Sequence, residues 1–213
     1  MERRDNYRIQ AQQAKALFLT YDQTRLIEKF RLKADTEYLF VNFLCKLHRI
    51  DRYTGDISVW KDGQWIDSNG YNVVMTLFDL LCDSKPDRYL AGRLRSMESF
   101  GKLFHQNLTD EDPRAVRIQQ RPEAFQRACT ALGARQVAGA DMGYGLELFD
   151  GLELVLLFWY GDEDFAPRLR FYWDENALQY LRYETMYFAV GQVMQEIFQH
   201  MDGKGCGRSN NGR

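Results

Sequence analysis

LELVLLFWYGDEDFAPRLRFYWDENALQYL, residues 152–181, is the stretch whose reading decides the fold. From Leu152 to Tyr160 only Glu153 is charged, and the rest are aliphatic and aromatic residues that suit a pleated surface. So apolar a run predicts a strand covered on both faces. From Arg168 to Trp173 the pattern alternates: Leu169, Phe171 and Trp173 fall on one face and Arg168, Arg170 and Tyr172 on the other. The second strand is therefore expected to be wetter on one side, nearer an edge or an open groove. Between them Gly161, Asp162, Glu163, Asp164 and Pro167 are turn formers, so the stretch reads as a β-hairpin with consecutive carboxylates at its tip.

Working outward, glycines at 133, 139, 143 and 145 lead into a strand over Leu146–Phe149, joined to the hairpin by an Asp150-Gly151 turn. After Tyr180, the spacing of Met186, Val190, Val193, Met194, Ile197 and Met201 predicts a final helix with one buried face. At the other end, Asn6 to Phe30 reads as helical, with a break near Thr20 to Asp22. Tyr38 to Ile50 reads as a strand, followed by a turn at Asp51–Gly55 and a second strand, Ile57–Trp60. Asp67 or Ser68 can cap a helix that carries Val73, Val74, Leu77, Leu80 and Leu81 and stops before Pro86.

Leu90, Leu94, Met97, Phe100 and Leu103 are spaced for a helix, which Gly92 and Gly101 weaken. Asn107 to Pro113 reads as an acidic loop, and Pro122 as the first turn of a helix with Phe125, Ala128, Cys129 and Leu132. The expected class is α+β: a largely antiparallel sheet built from hairpins, covered by N-terminal, middle and C-terminal helices. One domain is expected over residues 1–202, with GKGCGRSNNGR at 203–213 a disordered tail.

A chain of 213 residues with 45% apolar and 27% charged residues can bury a sizeable core, and 14% aromatic suggests rings in that core or in a pocket. The net charge of −2 supplies no global field for a polyanion, so neither nucleic acid nor a membrane is an expected partner. The start, MERRDNYRIQ, lacks the apolar stretch of a signal peptide or anchor, and no segment is long enough to span a bilayer. Cys45, Cys82, Cys129 and Cys206 form no ligand pair, as expected for reduced thiols in a cytoplasmic protein.

The acidic tip, Asp162, Glu163 and Asp164, with Asp174 and Glu175 beyond the second strand, offers hard oxygens to magnesium or calcium; the bland alternative is a solvated turn. Cys45 and His48 invite a nucleophile-and-base reading, but an odd offset in one strand sends them to opposite faces. Cys45 would share its face with Val41, Phe43 and Leu47, which makes it a core thiol. His105 and His200 have no partner at ligand spacing, and the glycines of GADMGYG precede a strand where a phosphate cradle needs a helix. Arg114, Arg117, Arg121, Arg127 and Arg135 read as a solvated face paired with acids such as Glu111 and Asp112.

Among the rings of the hairpin, one face is expected in the core, while Tyr160 and Tyr172 with Arg168 and Arg170 can line a pocket. The candidate ligand-binding residues are thus Asp162, Glu163, Asp164, Asp174, Tyr160, Tyr172 and Arg170. Arg93, Arg95 and Glu98 would join them only if the fold brought them to the tip. No catalytic residue, metal ligand or cofactor is assigned.

Gly161, Asp162, Glu163, Asp164 and Phe165, then Pro167, then Trp173 and Asp174, then Tyr180 and Leu181 at the entry to the final helix make a pattern that resembles the DUF3786 family of bacterial proteins of unknown function. The likeness extends more loosely to residues 38–60 and 70–82. Trp173 stands where phenylalanine is expected, and the Cys-rich iron–sulfur segment fused to some relatives is absent from this sequence. The resemblance implies an association with anaerobic corrinoid or iron–sulfur metabolism and gives this chain no cluster. The expected function is a binding domain for a small ligand or a protein partner, without catalysis. The alternatives are a divalent-metal-dependent hydrolase or transferase using the acidic tip, and an assembly subunit that offers the Arg168–Trp173 edge for strand addition.

Overall fold

The computed structural model describes residues 3–101 and 112–204. Leu103, Phe104, His105, residues 107–111 and the tail from 205 onward, Cys206 included, lie outside the described residues. In chain order the elements are α1 (Arg3–Phe18), α2 (Gln23–Phe30), β1 (Lys33–Ala34), β2 (Tyr38–Phe43), β3 (Lys46–Asp51), β4 (Ile57–Lys61), β5 (Gln64–Asp67) and α3 (Tyr71–Cys82). There follow β6 (Leu94–Ser96), α4 (Pro113–Gln120), α5 (Pro122–Ala131), β7 (Arg135–Gln136), β8 (Met142–Phe149), β9 (Leu152–Trp159), β10 (Arg168–Asp174) and α6 (Tyr183–Met201). Among the described residues no helix is long and apolar enough to cross a membrane.

The α+β class and the antiparallel hairpins are as the sequence predicts, but the hairpins divide between two five-stranded sheets. The first is a meander in the order β1-β2-β3-β4-β5; the second runs β6-β10-β9-β8-β7. A main-chain bond from Leu44 N–H to Leu148 O, 3.0 Å, joins the turn after β2 to β8. The central hairpin is β9–β10, with Phe158 opposite Leu169 and Leu156 opposite Phe171. β9 is buried on both faces: Leu154, Leu156 and Phe158 enter the main core, and Val155 and Leu157 are covered on the other side. The Asp150-Gly151 turn has positive φ at both residues, 53° and 79°, as this two-residue connection requires.

Helix α6 packs against α3 and α5, and α3 packs in turn against α1, where the Phe18 and Phe78 rings stack at 4.6 Å. The break between the first two helices is a cap: Asp22 accepts from the main-chain N–H of Thr24 and Arg25, a contribution of about 1 kcal/mol. One contiguous apolar core includes residues from helices and from both sheets, with Trp173, Phe43 and Phe125 fully buried.

Five expectations need correction. Residues 38–50 form two strands, because Leu44 and Cys45 take φ of 52° and 56° and reverse the chain. An apolar pair without glycine or asparagine concealed that turn. Leu44 is buried there and Cys45 is exposed at the tip, so Cys45 is not a core thiol. The helical spacing after Tyr89 yields no α-helix in the described part: Gly92 has φ 72°, β6 follows, and a short 3-10 turn covers Met97–Ser99. β6 pairs with Tyr172–Asp174, so that end of β10 is not an edge. Helix α3 has Gly70 at its N-cap and no side-chain cap, while Asp67 ends β5 and binds Asn69.

Candidate functional site

The acidic tip closes on itself. Asp162 Oδ1 accepts the main-chain N–H groups of Asp164 and Phe165, each at 2.9 Å, and Asp162 N–H donates to Phe165 O. A side chain committed to its own turn has its lone pairs directed inward. Glu163 and Asp164 are exposed. Among the described residues no three His, Cys, Asp or Glu side chains are grouped to hold a metal ion.

Asp174 lies at the opposite end of β10 from the tip, about 20 Å along the strand at ~3.3 Å per residue. It is buried and works as a clamp: Oδ1 accepts from Ala91 N–H and Asn176 N–H, 3.0 and 2.8 Å, and Oδ2 from Gly92 N–H, 2.7 Å. Arg93 pairs with Glu175, and Arg95 sits opposite Trp173 in β6 and donates to Ser99 O. Arg93, Arg95 and Glu98 therefore belong to the Asp174 end and do not converge with the acidic tip.

What the fold does bring together is the rest of the candidate set. Tyr160, Arg170 and Tyr172, with Trp159, Phe165 and Arg168, line an open groove of about 530 Å³ on the hairpin. Tyr160 and Phe165 are 47% and 70% exposed, although rings of this size usually dominate cores. The groove floor is fixed from outside the hairpin: Tyr160 N–H donates to Asp141 Oδ2, 2.8 Å, and Gly161 N–H to Gln119 Oε1, 2.6 Å. Gly161 is required there, since a Cβ would stand 2.5 Å from Pro167 N and 2.6 Å from Phe165 O.

The arginines of the groove differ from those around it. Arg114 pairs with Asp112, Arg117 and Arg121 with Asp202, and Arg135 with Glu153. The side chains of Arg168 and Arg170 have no ion-pair or hydrogen-bond partner among the described residues. Two unneutralised guanidinium groups beside exposed rings are suited to a carboxylate-bearing ligand.

The family model for DUF3786, a domain of unknown function, matches residues 22–196. The chain belongs to the DUF3786 family. Comparisons with curated proteins and with solved structures gave no match.

In this DUF3786 domain a second concave region escaped the sequence reading. It lies between the inner face of the first sheet and α6, in two adjoining compartments of about 300 and 650 Å³ that share Lys46, Val59, Lys61, Glu196 and Gln199. Lys46 Nζ pairs with Glu196 Oε2 at 2.5 Å, and Gln192 Nε2 donates to Glu196 Oε1 at 3.2 Å. Behind them His48 Nδ1 lies 3.0 Å from Lys46 O, and burial lowers its pKa to about 4, so the ring is neutral at pH 7. Burial, aided by the ammonium groups of Lys46 and Lys61, also lowers the pKa of His200. The signal available in the sequence was Gln192, Gln195, Glu196 and Gln199, which recur on one helix face; such a stripe reads as ordinary solvated surface.

Thiol chemistry has little support from Cys82, which is half-buried, or from Cys129, which is buried. Burial pushes the Cys82 thiol up to about 12 and raises that of Cys129 further, so both stay protonated and unreactive at neutral pH.

Proposed function

We propose that this DUF3786 domain is a cytoplasmic, non-catalytic binding domain that takes an extended acidic segment of a partner protein on the open face of the β9–β10 hairpin. The observation that carries the reading is the pair of unneutralised guanidinium groups, Arg168 and Arg170, in a groove that exposes Tyr160 and Phe165. Two residues apart on a strand, the guanidinium groups repeat at about 6.8 Å. Alternate side chains of an extended partner have the same repeat, so successive carboxylates can meet both arginines. A divalent-metal hydrolase at the tip has less in its favour, because one oxygen of Asp162 is engaged in its own turn and no three carboxylates, cysteines or histidines are grouped among the described residues.

The energetics divide the work. An exposed ion pair contributes about 0.2–1 kcal/mol, whereas covering a ring such as Phe165 contributes about 1.5–3 kcal/mol. The rings should hold the partner, and the arginines should set its sign of charge and its salt dependence. The test is fluorescence anisotropy with a labelled peptide of alternating Glu and Tyr, beside one of alternating Lys and Tyr. Binding of the acidic peptide alone, weakened by salt and lost in Phe165→Ala and in the Arg168→Glu, Arg170→Glu double variant, supports the reading. Equal binding of both peptides, or binding of neither, refutes it.

A further inference from the structure

The smaller compartment beside α6 has a composition unlike the hairpin groove. One wall is apolar, with Leu44, Val59 and Leu132. The opposite side carries Lys46, Lys61, Lys204, Glu196 and His200, so three ammonium groups face one carboxylate. That carboxylate is already taken by Lys46 and Gln192. Lys61 has no ion-pair partner among the described residues. The His200 Nε2 atom is buried and has no hydrogen-bond partner among the described residues, an arrangement that costs about 1–3 kcal/mol unless something else satisfies it.

We propose that this compartment is a binding site for a small monocarboxylate with an apolar body, its head group on Lys61 and the His200 Nε2–H, its body against Leu44, Val59 and Leu132. The register supports the placement. His48 pairs with Val59 in antiparallel strands, so Lys46, two residues before His48, and Lys61, two residues after Val59, share the sheet face on which His48 and Val59 lie. The head group faces the last turn of α6, since His200 is the penultimate residue of that helix. A helix C-terminus carries partial negative charge, which opposes any anion and a dianion more strongly, so the ammonium group of Lys61 has to supply the attraction and a single charge is preferred. A cavity of about 300 Å³ is at the small end of ligand pockets and fits a short-chain or single-ring acid.

The test is side-chain ¹H–¹⁵N NMR of the histidines in the full chain, titrated with hexanoate, with hexylammonium as a matched cation and with inorganic phosphate. Hexanoate should move the His200 Nε2 resonance saturably, while hexylammonium and phosphate should not. Lys61→Gln should weaken hexanoate binding by about tenfold or more and Lys61→Arg should restore most of it. An unchanged His48 resonance reports that each variant is folded, and Lys204→Gln is the second variant if Lys61→Gln is not. The proposal is overturned by hexylammonium or phosphate binding as well as hexanoate, by the absence of a saturable His200 shift, or by undiminished binding in the lysine-to-glutamine variant. The hairpin groove is on a different sheet and is assayed with peptides, so failure of either reading leaves the other standing.

Discussion

Asp79, near the end of α3, reaches across to the start of α6 and accepts two bonds from Arg182: the main-chain N–H on Oδ2 and the side-chain Nε–H on Oδ1, both at 2.8 Å. Arg182 is the N-cap of α6 and supplies no side-chain cap of its own, so a residue of another helix does the capping. The Asp79 carboxylate is 1% exposed. Burial raises its pKa, opposed by bonds from Thr185 and Arg182. Asp79→Ala should cost about 2 kcal/mol, because it removes two part-buried bonds to Arg182 and empties the joint between two core helices. Asp79→Asn, which retains an acceptor oxygen, should cost less. Urea denaturation of both variants checks the order.

His48 makes stability depend on pH with a definite sign. The unfolded chain protonates this imidazole near pH 6.5, whereas the fold holds it neutral down to about 4. Over that interval the unfolded state binds more protons, so stability is present above pH 6.5 and lost as pH falls toward 4, by up to about 3 kcal/mol. The lowered pKa of His200 acts in the same direction. In His48→Asn, whose side-chain N–H can still reach Lys46 O, the fall between pH 7 and 4.5 should be much shallower, as measured by denaturant midpoints across that range.

Cys45→Gly should stabilise the protein. The residue holds φ of 56° in the turn between β2 and β3, a conformation that costs an L side chain about 1 kcal/mol and glycine almost nothing. A rise of that size in unfolding free energy is expected. Leu44→Gly in the same turn should do the opposite, because Leu44 is buried and its loss leaves a cavity.

Gly161→Ala should remove the hairpin groove while leaving the core intact. The added methyl would meet main-chain atoms of Phe165 and Pro167 at about 2.5 Å, so the tip has to open. Loss of acidic-peptide binding with a change in melting temperature of only a few degrees is the expected result; a variant that binds normally would show that the tip geometry is irrelevant to binding.

Asp174→Asn should loosen the loop before β6. An amide in place of the carboxylate cannot accept all three main-chain N–H bonds that Ala91, Gly92 and Asn176 now donate. Hydrogen exchange at Ala91 and Gly92 should accelerate at least about tenfold, with stability lower by about 2 kcal/mol.

The central hairpin was legible because its two strands carry opposite signals: an unbroken apolar run where both faces are covered, and an alternation where one face is open. The final helix, the break at Asp22 and the Asp150-Gly151 turn were legible for equally local reasons. The turn at Leu44 and Cys45 was not, since tertiary anchoring of Leu44 N–H to Leu148 O accompanies a conformation that no local residue preference favours. β6 was misread because three residues at a sheet end carry too little pattern to outweigh helical spacing around them. For the candidate site, Arg168, Arg170 and Tyr172 were placed together by strand alternation, which says nothing of Tyr160 on the other arm, whereas Asp174 was grouped with the tip because nearness in sequence says nothing about the length of the intervening strand. The compartment beside α6 joins residues near 46, 61 and 200, and no single window contains them.

The strand order also sets a timetable. The first sheet is a meander of sequence neighbours and can close as soon as Asp67 has been made, its hairpins forming in microseconds. β6 is different, because its partner β10 begins only at Arg168. At ordinary rates of synthesis that interval is about 4 to 15 seconds, during which the main-chain groups of β6 have no strand to bond. Its brevity, and the charges of Arg93 and Arg95, make it a poor template for association with another chain. On the ribosome, then, the N-terminal meander has all its strands while the second sheet still waits for the hairpin that will draw β6 in, and its inner face is completed only when α6 arrives.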